Sequence, residues 1–414
     1  MSKLNELIRE LCSDGVEYRP LGKVAVCQKT KNKTHITEIA YSITQKGLIP
    51  TSDYFGEKTK ITSSDTSGYY LVYKDWFVYS PSRIDIGSIN YLRADGPVIV
   101  SPLDVVFSVD TTAISPSFLL IYLTSHAGMF QILNHRQGIE GTGRKTLPFS
   151  EFAKIKIPVP PLPVQREIVR ILDNFTELTT KLTAELAARQ KQYEYYRDKL
   201  LSFSAPSRTD DHIWRTIEEI CKSITSGGTP KSKNITYYGG TIPWLRTQEV
   251  DWIDIYDTEI KITAEGLSNS SAKWIPKNCV IVAMYGATAA KVAINKISLT
   301  TNQACCNLEI DENKALYRYV FYWLSKEYLT LKSLGQGSQS NINAQIIRQY
   351  PIPIPPLAVQ SRIVSILGRF DAICHDISSG LPAEIEARRK QYEYYRDKLL
   401  TFDKRALTQN ESIR

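Results

Sequence analysis

The sequence predicts an α+β protein: two globular units of mixed strands and helices, separated by two long helices that form an antiparallel coiled coil with pseudo-twofold symmetry. Three observations carry this. The segment Ala188-Arg-Gln-Lys-Gln-Tyr-Glu-Tyr-Tyr-Arg-Asp-Lys-Leu-Leu-Ser-Phe203 returns as Ala387-Arg-Arg-Lys-Gln-Tyr-Glu-Tyr-Tyr-Arg-Asp-Lys-Leu-Leu-Thr-Phe402, differing only at Gln190/Arg389 and Ser202/Thr401. A proline-rich phrase precedes each copy, Pro158-Val-Pro-Pro-Leu-Pro-Val-Gln165 and Pro353-Ile-Pro-Pro-Leu-Ala-Val-Gln360. Between phrase and repeat, apolar residues recur in steps of three and four. Copies that each close one half of a 414-residue chain are too far apart for a solenoid, whose units run about 20 to 50 residues. The module is duplicated.

Each half presents the same order of parts. An aromatic-Arg entry phrase comes first, Tyr18-Arg19-Pro-Leu21 and Trp214-Arg215-Thr-Ile217. Strand-like stretches follow, such as 70–79 and 280–285, rich in β-branched and aromatic residues and bounded by Gly and Pro. Helices are expected over 118–132 and 316–334. Proline lacks an amide and restricts the residue before it, so each proline-rich phrase reads as an extended strap. A long helix begins near Val164 and again near Val359. Its apolar seam runs Ile168, Leu172, Phe175, Leu178, Leu182, Leu186, Tyr193, Tyr196, Leu200, Phe203 in the first half. In the second it runs Ile363, Leu367, Phe370, Ile373, Ile377, Leu381, Ile385, Tyr392, Tyr395, Leu399, Phe402. Spacing sustained this long argues for helix pairing. The second helix carries about one extra turn at Ser378-Ser-Gly-Leu-Pro382, where Gly and Pro should break it and Pro382 is tolerated at the restart. The expected boundaries are 1–156 for the first globular unit, 157–204 for its strap and helix, 205–350 for the second unit, 351–403 for its strap and helix, and 404–414 for a tail.

Composition is that of a globular protein, 43% hydrophobic and 23% charged. No run approaches eighteen apolar residues, and Met1-Ser-Lys-Leu-Asn-Glu lacks an apolar signal core, so a cytoplasmic protein with no membrane contact is expected. Seven cysteines without a Cys-x-x-Cys pair read as core thiols rather than a zinc site. The net charge of +8 permits a polyanionic partner without requiring one.

No catalytic constellation survives inspection. Gly138-Ile-Glu-Gly-Thr-Gly143-Arg144-Lys145-Thr146 approaches a phosphate loop, but Arg144 stands where lysine is needed. The two Pro-Pro pairs lack the acid or amide before them and the aromatic after them that an amino-methyltransferase loop requires. Glu259-Ile-Lys261 after Asp251, Asp254 and Asp257 imitates a nuclease motif that short sequences often match by chance. The five histidines have no metal-ligand spacing.

What remains is a set of polar, basic loops in both halves. In the first they are Gln45-Lys46-Gly47, Ser80-Pro-Ser-Arg83, and Arg136-Gln137 through Arg144-Lys145. In the second they are Ser226-Gly-Gly-Thr-Pro-Lys231-Ser-Lys233, Arg246-Thr247-Gln248 and Gln336-Gly-Ser-Gln339-Ser-Asn341. Gly lets backbone approach phosphate, Arg and Lys pair with phosphate or guanine, and Gln and Asn read adenine. Any one such cluster is an ordinary solvated turn; recurrence in both halves points to nucleic acid. In the repeat, Tyr193, Tyr196, Tyr392 and Tyr395 fall on the seam. Tyr195, Arg197, Asp198 and Lys199 are identical to Tyr394, Arg396, Asp397 and Lys398 at positions expected to face outward. That identity marks either a partner surface used twice or a recent gene duplication.

These straps and Gln-Tyr-Glu-Tyr-Tyr-Arg-Asp-Lys-Leu-Leu helices resemble the specificity subunit of a type I restriction-modification system. So do Phe77-Val-Tyr-Ser-Pro-Ser-Arg83-Ile-Asp-Ile-Gly87, Gly227-Gly-Thr-Pro230, Ile242-Pro-Trp-Leu-Arg246-Thr and Tyr285-Gly-Ala-Thr288. The resemblance spans the chain. It implies two target recognition domains, each reading one half of a split site in double-stranded DNA, and helices that fix the unread spacer. It also implies docking of two methyltransferase subunits, with motor-nuclease subunits completing the complex. S-adenosylmethionine, Mg and ATP would sit on those partners and no cofactor on this chain. The extra turn in one helix leaves the spacer length open. Two other readings remain, a DNA-binding scaffold outside restriction and an enzyme with its own methyl-transfer or nuclease site.

Overall fold

The computed structural model describes residues 2–44, 47–55, 65–138, 145–203, 213–335, 341–374 and 379–403. The chain divides into two compact units, one of Met1–Leu182 with Glu384–Arg414 and one of Thr183–Ala383. The expected tail, 404–414, lies outside the described residues.

In the first unit a four-stranded antiparallel sheet runs in the order Ala25–Gln28, Val105–Val109, Phe77–Tyr79, Ile89–Tyr91. Its inner face is aromatic. Phe77 stacks on Phe107 at 4.9 Å, and Tyr79 packs on Phe152 at 4.8 Å. The stretch expected as one strand over 70–79 is two, Tyr70–Val72 and Phe77–Tyr79, parted by a turn in which Asp75 takes φ 66°.

The second unit builds a different body. A five-stranded sheet runs Cys221–Ser226, Cys305–Ile310, Val280–Ala283, Val292–Asn295, Asp254–Ile255, the last joined in parallel. A four-stranded sheet runs Lys261–Ile262, Tyr238–Leu245, Leu299–Thr301, Trp274–Ile275. Cys279, Cys305 and Cys306 are buried in this unit, and all seven cysteines are free thiols.

Beneath these unlike sheets lies one common frame. Each strap begins in a strand paired antiparallel with its entry phrase, Lys156–Pro158 with Tyr18–Pro20 and Pro351–Ile354 with Ile213–Thr216, and ends in the first turn of its long helix. Each expected helix before the strap is instead two. The first half has Pro116–Leu123 and His126–His135; the second has Tyr317–Lys326 and Tyr328–Ser333. In the first half the break follows from Ser125, whose Oγ caps the second helix by accepting from Gly128 N at 3.2 Å. The junction is so close that a Cβ on Gly128 would lie 2.1 Å from the Tyr122 carbonyl oxygen.

The long helices follow, Leu162–Leu200 and, in two pieces, Leu357–Cys374 and Leu381–Leu399. Gly380 stands just before the second piece, and Pro382 lies in its first turn, as expected of the restart. Both helices cross the unit boundary, so each unit holds the front of one and the back of the other. In the first unit Phe175 stacks on Tyr395 at 5.5 Å and 23°. In the second Tyr196 stacks on Phe370 at 5.5 Å and 24°. There Tyr193 feels the charge of Asp371, and Cys374 that of Arg189. Falling numbers on one helix thus meet rising numbers on the other, and the pairing is antiparallel.

The strap glutamines join domain to helix. Gln165 is wholly buried; its Oε1 accepts from Ser115 N at 2.7 Å, and its Nε2 donates to Ala113 O at 2.9 Å and Pro160 O at 2.7 Å. Gln360, also wholly buried, accepts from Leu316 N at 2.9 Å and donates to Lys314 O at 3.3 Å and Pro355 O at 2.8 Å. Gln360→Ala would leave one backbone N–H and two carbonyls without these partners, each costing about 1–3 kcal/mol when it stays dry. Denaturant unfolding should show a loss of at least about 2 kcal/mol. A loss under about 0.5 kcal/mol, the level of an ordinary surface change, would contradict the assignment.

Candidate nucleic-acid interface

Loops at one edge of the second unit are tied to one another by hydrogen bonds. Gly227 and Gly228 pass so close to neighbouring backbone that a Cβ on Gly227 would lie 1.9 Å from the Thr301 carbonyl oxygen. Gly228 N donates to Thr301 O at 2.9 Å, and the Trp244 indole donates to Gly228 O at 2.9 Å. Tyr238 OH donates to Pro230 O at 2.7 Å, which presents the turn carrying Lys231 and Lys233, both exposed. Thr229 Oγ1 donates to Gln303 Oε1. Next along the edge, Asn302 N donates to Leu245 O at 2.9 Å, fixing the start of Arg246-Thr247-Gln248. Thr288 Oγ1 donates to Thr247 O at 2.8 Å, and Gly286 N donates to Asn341 Oδ1 at 3.1 Å. The structure therefore brings Lys231, Lys233, Arg246, Gln248 and Asn341 to one rim. Gln248 is exposed, while the Asn341 carbonyl is committed to holding the Tyr285-Gly286 loop. Gln336 and Gln339 lie outside the described residues.

Arg246 is not a free cation. Its Nη2 donates to Glu259 Oε2 at 2.8 Å, and Glu249 lies 3.9 Å from its Nε. The neighbouring acids are also paired: Asp251 with Lys291, Asp254 with Arg318, and Asp257 with Lys261. The carboxylates that imitate a nuclease motif in the sequence are thus dispersed among separate cations.

In the first unit the turn after Phe77–Tyr79 forms the equivalent rim. Tyr79 OH donates to Leu147 O at 2.9 Å, and Leu147 N donates to Pro81 O at 3.0 Å. The turn is thereby stapled to a short hairpin pairing Gln137 with Thr146 and Gly138 with Lys145. Arg83, Gln137 and Lys145 are exposed there. Arg136 is different. Its side chain is only 10% exposed and binds Asp85 Oδ2 at 2.6 Å, Lys145 O at 2.8 Å and Ser82 O at 3.1 Å. The guanidinium thus ties the turn at Ser82 and Asp85 to the strand at Lys145. Gln45, Lys46 and Arg144 lie outside the described residues. Gly47 is required beside Gln45 and Lys46, because it takes φ +120° and a Cβ would meet Asn90 Nδ2 at 2.8 Å.

Asp104, half-buried near Arg83, has no signal in the sequence. Burial pushes its carboxyl up to about 7, against the opposing pull of Arg83.

The repeated helix ends have the same local geometry twice. Tyr195 and Tyr394 are exposed, 59% and 61%, and meet Tyr196 and Tyr395 edge-on at 5.4 and 5.3 Å. Lys199 lies 5.6 Å over the Tyr195 ring, and Lys398 lies 5.7 Å over Tyr394. The outward placement expected for Arg197 and Arg396 is corrected by the structure. Their side chains are 21% and 17% exposed, each bonded to the following aspartate and lying 5.9 Å over Tyr193 or Tyr392. The exposed faces are those of the tyrosines and lysines. Asp198 is exposed, whereas Asp397 is half-buried, its Oδ1 accepting from His126 N at 3.5 Å.

The type I restriction modification DNA specificity domain model matches residues 14–189 and again 213–387. The chain belongs to that family. The EcoR124I/EcoR124II type I restriction enzyme specificity subunit of Escherichia coli is 32% identical over 426 residues, covering 98% of each chain. A chain from a study of complex assembly and conformational transition of the type I R-M system superposes with TM-score 0.62 at 17% identity. That match covers 93% of this chain and 97% of the other. The type I restriction-modification S subunit of M. genitalium gives TM-score 0.56 at 14% identity, covering 95% and 97%. The chain is accordingly a specificity subunit with two DNA recognition domains. Among its described residues no helix is long and apolar enough to cross a membrane.

The Asp104 carboxyl gives a pH test with a definite sign. Its folded value lies above that of an unfolded aspartate, near 3.9, so the folded state holds the proton more tightly. The cost of ionising it is absent below about pH 4, grows as pH rises towards 7, and is complete above 7. Asp104→Asn removes that cost. Its melting temperature should exceed that of the unaltered protein at pH 8, and the two curves should converge towards pH 4. Parallel curves would contradict the burial of this group.

Proposed function

We propose that residues 1–156 and 205–350 are target recognition domains, each reading one half of a bipartite site in double-stranded DNA. The straps and helices, 157–204 and 351–403, set the unread spacer and dock two methyltransferase subunits, with motor-nuclease subunits completing the complex. The chain is non-catalytic, works in the cytoplasm and binds no cofactor; S-adenosylmethionine, Mg and ATP belong to its partners. One observation carries this reading: two unlike sheets with unlike polar rims stand on one frame built twice. A frame repeated down to the Tyr195/Lys199 and Tyr394/Lys398 geometry fits a partner bound twice, and unlike rims fit two different sequences.

Contact roles divide by exposure. Lys231, Lys233 and Lys145 are assigned to phosphate, Arg83, Arg246, Gln137 and Gln248 to base edges, and Arg136 and Asn341 to holding the loops. Replacing both Lys231 and Lys233 with Ala should reduce the salt dependence of DNA binding by about two in log–log slope, near 0.9 for each phosphate no longer neutralised. An unchanged slope would remove them from DNA. The isolated full chain should bind no S-adenosylmethionine in calorimetry; saturable binding would favour an enzyme instead.

Docking is tested at the exposed positions. Tyr195→Ala with Lys199→Glu should yield an assembly short of one methyltransferase, and adding Tyr394→Ala with Lys398→Glu should leave none, as read from the mass of the purified complex. Full stoichiometry in the fourfold variant would reduce the repeat to a trace of gene duplication.

A further inference from the structure

The Arg246–Glu259 pair is built in an unusual way. Glu249 is the anchor: 12% exposed, it accepts from Arg246 N at 3.2 Å through Oε1 and from Glu259 N at 2.9 Å through Oε2. One half-buried carboxylate thereby clamps the backbone of two separate segments side by side. Glu259 is then held next to the Arg246 guanidinium with its own side chain 71% exposed. An ion pair this open contributes little to stability, because water and salt screen it. Its charge nevertheless acts on any anion that approaches Arg246.

We propose that Glu259 is a specificity-determining residue: by occupying one edge of the Arg246 guanidinium with a carboxylate, it lets that arginine engage a neutral base edge while repelling the phosphate backbone. The inference rests on the reading of Arg246 as a DNA contact. A guanidinium has five N–H groups, so the bond to Glu259 leaves donors for a guanine, whose O6 and N7 are uncharged acceptors. A phosphate oxygen in the same place would bring negative charge against the Glu259 carboxylate, and like charges a few ångströms apart repel even at high dielectric. Non-specific binding is carried almost wholly by phosphate contacts. A carboxylate that suppresses them lowers affinity everywhere except where the arginine finds its base. The contrast with the first unit is direct. Arg136, 10% exposed, is held by a carboxylate and two carbonyls, whereas Arg246 at 26% is bonded to the exposed Glu259 carboxylate.

The test uses the full chain assembled with its methyltransferase partners. Two duplexes of equal length are compared, one carrying the methylated site and one with its second half-site scrambled. Glu259→Gln keeps the shape and removes the charge. It should bind the scrambled duplex about tenfold more tightly at low salt, with a salt slope steeper by about one. Affinity for the true site should change far less, so discrimination at the second half-site falls while that at the first is kept. Arg246→Ala should lose the same discrimination without the rise in non-specific affinity. If Arg246→Ala loses discrimination but Glu259→Gln alters neither non-specific affinity nor slope, the role given to Glu259 is wrong and the reading of Arg246 stands. Should Arg246→Ala leave discrimination intact, Arg246 does not read DNA and the inference falls with it. Melting curves of both variants, expected within a degree or two of the unaltered protein, separate these outcomes from misfolding.

Discussion

One buried amide lies at each junction of recognition domain and long helix. A proline-rich strap has carbonyls to satisfy and few N–H groups to offer, and the helix before it begins with amides that lack a partner. Gln165 and Gln360 resolve both deficits at once, accepting from that helix start and donating to two carbonyls, one of them a proline's. All the partners are backbone atoms. Side chains around the junction can therefore differ between the two halves while its geometry stays the same. This is how unlike sheets come to stand on like frames, and why the Pro-Pro-Leu-x-Val-Gln phrase is shared where the domains above it are not.

The rims depend in turn on these bodies. In the first unit an aromatic sheet face ends at Tyr79, whose hydroxyl ties the Arg83 turn to the chain at Leu147. In the second, two glycines let a loop lie against Thr301, and Trp244 fixes it from below. Preorganisation of this kind lowers the ordering cost of binding. It also sets the cations apart, since the Arg136 guanidinium is spent partly on Asp85 and two carbonyls inside the rim, while Lys231 and Lys233 stand exposed.

The frame is legible in the sequence because its signals are local. The repeat, the straps and the Gly380/Pro382 interruption all lie within a few residues of the features they specify. What the sequence hides is long-range pairing. Arg136 reads as an unpaired basic residue because Asp85, its ion-pair partner, is far away in the chain. Glu259 sits in a tripeptide that resembles a nuclease motif, and its pairing with Arg246 depends on two strands of one sheet running side by side. Helical phase puts Arg197 and Arg396 on the outer face, but long side chains can fold back across an aromatic neighbour, and here they do. The split of each strap-proximal helix into two is not visible to a periodicity count. In the first half it turns on the capping of Ser125 and the lack of space at Gly128.

In the proposed function the two halves of the chain read two separate stretches of one DNA site. Methylation sequencing of the host genome with and without this gene tests it most directly. Gene-dependent methylation is expected at a single motif of two short specified stretches, separated by a fixed run of unspecified bases. An uninterrupted motif, or a methylation pattern that does not change when the gene is removed, would contradict it.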